Sequence, residues 1–124
     1  MAVLGLAAVA VGCSSTLREV RARNPAFQFL GVPASQQLEA ARCIRDGFEA
    51  RVGDLDSIVL ELALDRDGMH VIGRDGLAAD AVMFDVAVRE DAVVVRVAPA
   101  PETPLELLQD AIRTCLGAAG RPSK

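Results

Sequence analysis

From Gln36 to Arg51 polar and apolar residues recur with a helical period. Glu39, Arg42, Arg45, Asp46 and Glu49 fall on one side. Ala40, Ala41, Ile44 and Phe48 fall on the other, with Cys43 on the flank. Only Arg51, in the last turn, breaks the pattern. Ser35 is placed to cap the start and Gly53 to end the helix.

The period then changes to two. Ile58, Leu60, Leu62 and Leu64 alternate with Val59, Glu61, Ala63 and Asp65. Asp67-Gly68 is a hairpin signal that favours a type I′ turn. With those two residues as the loop, Leu64 faces Val71, Asp65 faces His70 and Glu61 faces Arg74. A slip of one residue would turn His70 toward the leucine face, so the pattern selects this register. Gly73-Arg74-Asp75-Gly76 marks the next turn. Val82, Phe84, Val86 and Val88 then alternate with Met83, Asp85, Ala87 and Arg89. Val93, Val95 and Val97 follow a break at Glu90-Asp91. A two-residue loop there sets Asp85 opposite Arg96 and Val86 opposite Val95. Each hairpin thus brings unlike charges together, worth a few tenths to about 1 kcal/mol per pair.

Pro99-Ala100-Pro101 stops the sheet. Thr103-Pro104-Leu105-Glu106 combines a capping box with Pro at the first helical position. Leu105, Leu108, Ala111, Ile112, Cys115 and Leu116 form one apolar stripe, with Gly117 as the stop. The order is αββββα. The expected fold is α+β, a two-layer sandwich: a four-stranded antiparallel meander with both helices on one face. The domain is expected over residues 35–117, followed by a disordered tail, 118–124.

The first residues follow no such period. Ala2 to Val11 are apolar without a break. Ten helical residues span about 15 Å, half of the roughly 30 Å of a bilayer core, so the run is too short to cross. It fits the apolar region of a secretory signal. The alternative is a buried N-terminal helix with Cys13 in a core, but Gly12-Cys13-Ser14-Ser15 is a poor helix centre. Val9-Ala10-Val11-Gly12-Cys13-Ser14-Ser15 resembles the lipobox of bacterial lipoproteins. The resemblance implies removal of residues 1–12 and lipidation of Cys13. It implies a membrane partner through that anchor. Ser14 after the cysteine implies the periplasmic side of the outer membrane. Residues 13–34 are expected to form the lipidated N-terminus and a flexible tether with a reach of roughly 25 Å. Phe27, Phe29 and Leu30 alternate loosely and are placed to lay its end onto the domain.

Composition narrows the chemistry. The chain has 124 residues, enough for one domain, and a formal net charge of −4. It has no Trp or Tyr and no basic stripe, which argues against a nucleic-acid partner. Three cysteines is an odd number. With Cys13 lipidated, Cys43 and Cys115 remain, one on each helix that covers the sheet. In the oxidising compartment behind a lipobox they are expected to form a disulfide.

Little in the sequence is reactive. His70 is the sole imidazole, on the open face opposite Asp65, where an ordinary cross-strand contact is as good an account as a general base. Ser57 is the nearest strand-end hydroxyl, and no Gly-x-Ser-x-Gly step exists. Asp65-Arg66-Asp67-Gly68 has its glycine in the wrong place for a calcium loop. No cysteine or histidine set has zinc spacing. No cofactor, metal site or catalysis is expected. The outer face carries Val59, Ala63, Ile72, Met83, Ala87, Val94 and Ala98, apolar for a wet surface. Val59, Ile72, Met83 and Val94 therefore mark an expected interaction face, for an envelope protein or a second copy. The favoured reading is a non-catalytic interaction or structural module. The alternative is a carrier of a small apolar ligand held between sheet and helices.

Overall fold

The computed structural model describes residues 15–53, 58–77, 81–99 and 104–119. The signal segment, Cys13, Ser57, Thr103 and residues 120–124 lie outside the described residues. Among the described residues the fold is α+β, with one antiparallel sheet of five strands and three α-helices. In chain order these are α1 (Leu17–Arg21), β1 (Phe27–Leu30), a 3-10 turn (Ala34–Gln36), α2 (Gln37–Val52), β2 (Ile58–Asp65), β3 (Gly68–Asp75), β4 (Val82–Arg89), β5 (Ala92–Val97) and α3 (Leu105–Ala119). The sheet order is β1-β5-β4-β3-β2.

The four-stranded expectation is corrected by β1, which pairs with β5 from Phe27↔Val95 to Leu30↔Ala92. Phe27 and Phe29 point to the core, and Phe29 is buried. The flexible-tether expectation is corrected with it. Thr16 and Glu19 close a capping box: Thr16 Oγ1 accepts from the Glu19 amide at 3.2 Å, and the Thr16 amide donates to Glu19 Oε1 at 2.8 Å. The short helix that follows buries Val20. Residues 15–34 gain enough apolar burial to belong to the domain.

α2 and α3 lie on one face, as expected, and the main core forms beneath them. Ile44 and Phe48 of α2 and Leu108, Ile112 and Leu116 of α3 meet Val71, Phe84, Val86, Val93 and Val95 of the sheet. The Phe48 and Phe84 rings meet edge to face, centroids 5.3 Å apart. Cys43 and Cys115 form a disulfide between the two helices, with Cα atoms 5.8 Å apart. Ser35 does not cap α2. It sits inside the 3-10 turn, and Gln36 precedes the helix with no side-chain cap. Gly117 does not stop α3, which continues to Ala119.

The β2–β3 register is also corrected. The loop residues are Arg66 and Asp67, and Gly68 opens β3 opposite Asp65. Leu62, not Leu64, faces Val71, and Ala63 faces His70. The reason is the third strand: Gly68 also pairs with Arg89 of β4 at φ +146°, and a Cβ there would stand 2.2 Å from the Val88 carbonyl oxygen. Only glycine fits, so Gly68 is drawn out of the loop and into the ladder. The displacement is two residues, an even number, so every side chain keeps its face. The β4–β5 register is as expected, with Asp85 opposite Arg96 and Val86 opposite Val95.

Gly73 and Arg74 belong to β3 rather than to a turn. Gly73 pairs with Phe84, and a Cβ on it would come within 2.3 Å of the phenyl ring. The missing side chain is the seat of that ring.

Candidate functional site

The outer face of the sheet is the place the sequence assigns to a partner. The chain covers much of it itself. Val20 and Leu17 of α1 pack with Ile72, Val82, Ala98 and Ala63. Ile72 and Val94 are buried. Met83, skipped where the β3–β4 register shifts, packs half-buried against the main core instead, and Val82 takes its place on the outer face. Of the four expected interface residues only Val59, 54% exposed, remains open. The expected interaction face is therefore corrected: α1 packs on it at Ile72, and Met83 belongs to the main core.

At the open end of that covered face lies a cluster of charges. His70 of β3 is 3% exposed and Asp85 of β4 is 0% exposed. His70 Nδ1 lies 2.9 and 3.2 Å from the two Asp85 oxygens, and Nε2 lies 2.8 Å from Asp67 Oδ1 in the β2–β3 turn. Arg21, the last residue of α1, donates from one terminal nitrogen to Asp65 Oδ2 at 3.0 Å. Its other terminal nitrogen stands 3.5 Å from Asp85 Oδ1. Arg89 approaches Asp67 at 3.9 Å and pairs with Asp91 at 3.0 Å. The Arg21 Nε is buried without a partner among the described residues.

The arrangement decides the state of His70. Carboxylates only accept hydrogen bonds, so two carboxylate partners require both ring nitrogens to donate. Burial opposes the charge, but the hydrogen bonds to Asp85 and Asp67 and the Asp85 charge outweigh it, and the pKa is raised above the ordinary 6.5. The Arg66 amide, followed by Arg21 and His70 acting against partial desolvation, holds Asp65 below the usual carboxylate value.

The sequence placed His70 opposite Asp65 and in water; the structure places it in the interior against Asp85 and Asp67. Arg21, Asp67 and Asp85 were missed as its neighbours. Arg96 sits opposite Asp85 as expected, yet its Nε donates to the Arg23 carbonyl at 2.9 Å. Glu61 and Arg74 do meet, at 2.9 Å, but on a diagonal of the new register.

Chemically, the cluster suits an ion-pair lock. A general base needs a free imidazole lone pair, and both nitrogens of His70 are bonded to carboxylates. Asp65, Asp67 and His70 bring one ligand atom each within 4.8 Å of one another. With Nε2 deprotonated they could ligate a cation, Asp85 orienting the ring from behind. Arg21 and Arg89 already balance those carboxylates, and a cation would have to displace them. The cleft between the end of α2 and the start of β2, lined by Phe48, Val52, Ile58 and Leu60, holds about 20 Å³. That is room for one water, far below the several hundred Å³ of ligand pockets, and gives the carrier reading no support. Among the described residues no helix is long and apolar enough to cross a membrane.

No protein family, curated protein or solved structure was found to match the chain.

Proposed function

We propose that the chain is a lipid-anchored cell-envelope protein whose domain is a non-catalytic interaction or structural module. The observation that carries this reading is the Cys43–Cys115 disulfide joining α2 to α3. Such bonds persist in oxidising compartments. The third cysteine stands at the lipobox-like Gly12-Cys13-Ser14 step. By resemblance to lipoproteins, the location is the periplasmic side of the outer membrane.

The fold adds a consequence. The Ser15 carbonyl accepts from the Val82 amide at 2.8 Å, tying the chain to the sheet two residues after Cys13. Two residues reach at most about 7 Å. A lipid on Cys13 would thus hold the domain against the bilayer by its α1 side, not on a long tether. Two or three acyl chains would make the attachment stable.

The test is acyl labelling and fractionation of the full chain in a bacterial host. Wild type should carry the fatty-acid label and sediment with outer membranes, and Cys13→Ala should lose both. An unlabelled, soluble wild-type chain would overturn the reading.

A further inference from the structure

The two edges of the sheet are built differently. β1 is four residues long and flanked by Pro25 and Pro33. Short strands and prolines blunt an edge against pairing. β2 is eight residues, Ile-Val-Leu-Glu-Leu-Ala-Leu-Asp, with no Pro and no Lys, and it follows β3 in unbroken register. Among the described residues nothing pairs with its other side.

Backbone polarity alternates along an antiparallel ladder. The two-residue turn closes on the Asp65–Gly68 pair. Asp65, Ala63, Glu61 and Val59 therefore turn their backbone groups toward β3, and Leu64, Leu62, Leu60 and Ile58 turn theirs outward. The leucines also crowd one face of this free edge. Leu64 is 79% exposed, and Leu60 and Leu62 are half-buried.

We propose that this edge is a self-association site, in which β2 pairs antiparallel with β2 of a second copy about a twofold axis at Leu62. The inference rests on the reading of the domain as an interaction module and names its partner. Charge and strand overlap together select the register: one centred on Leu60 also avoids like charges but leaves Ala63, Leu64 and Asp65 with no partner in β2. Outward-facing residues must pair with outward-facing ones, so the strands can slide only in steps of two. A register centred on Glu61 sets the two glutamates against each other. One centred on Ala63 sets Glu61 against Asp65. Centred on Leu62, Leu60 meets Leu64, Leu62 meets itself, Glu61 meets Ala63 and Val59 meets Asp65. No like charges meet, and the leucines form one stripe across the junction. An isologous contact needs such self-complementarity. The axis stands normal to the sheet, so both α1 segments fall on one side, as two anchors in one membrane require.

The test uses the full chain carrying Leu62→Cys, oxidised in membranes and run without reductant. Paired residues in this geometry lie about 5.5 Å apart at Cα, within disulfide reach. Leu62→Cys should give a covalent dimer. Leu64→Cys, whose mirror position lies four residues further along the strand, should not. In detergent the wild type should sediment as a dimer. Leu64→Lys, at an exposed position that spares the fold, should weaken association about tenfold or more. A monomeric wild type, or equal cross-linking at the two positions, would overturn the proposal. An acylated chain that stays monomeric defeats this inference alone. A dimer without acylation defeats the anchor reading alone.

Discussion

His70 was legible in the sequence as a lone histidine near carboxylates, but its burial was not. Strand alternation correctly put it away from the leucine face; only the N-terminal segment, whose packing leaves no periodic trace, turns that face into an interior. The side chain that matters most to it, Asp85, lies on the next strand, beyond the reach of hairpin arithmetic. The consequence is a pH dependence with a definite sign. His70 holds its proton to higher pH in the folded chain, flanked by Asp85, Asp67, Asp65 and Arg21. Its contribution is full below the ordinary value of 6.5 and is lost as pH rises through the raised value. Urea denaturation should therefore show stability falling as pH rises above 6.5, with a flatter profile in His70→Gln. The chain has one histidine, so its imidazole signals report the titration directly. A midpoint below 6.5 would contradict the paired geometry.

At the scale of elements, the long periodic segments were readable and the short ones were not. α2, α3 and four strands follow from sustained patterns in which each turn or alternate residue repeats the same signal. α1 and β1 span five and four residues, too few for a period. One local signal for α1 was present all the same: Thr16 and Glu19 have capping-box spacing. Removing it with Thr16→Ala should cost about 1 kcal/mol. Chemical denaturation would show it, together with faster amide exchange at Val20. Gly117 was read as a stop because glycine so often ends a helix. Here it lies within the last turns of α3, exposed, with nothing within 4 Å of an added Cβ. Gly117→Ala should accordingly stabilise the domain by about 0.5–1 kcal/mol, measurable as a higher thermal midpoint. A loss of stability would show that the glycine serves a backbone need the helix does not reveal.

At the scale of the molecule, the α+β class and the placement of both helices on one face followed from one-sided alternation. The content of the other face did not, because coverage depends on a segment too short to announce itself. The disulfide ties α2 to α3 across a sequence separation of 72 residues. In the chain-entropy account a loop of that size is worth about 4 kcal/mol. The double variant Cys43→Ala/Cys115→Ala should lose about that much stability to urea, and reductant should have the same effect on wild type but none on the variant.

The measurement that bears most directly on the account is the intact mass of the chain extracted from membranes and alkylated without reduction. The expected species begins at Cys13, carries the diacylglyceryl and acyl groups, and takes up no alkylating reagent. A chain that retains Met1 and alkylates at three cysteines would contradict both the anchor and the disulfide.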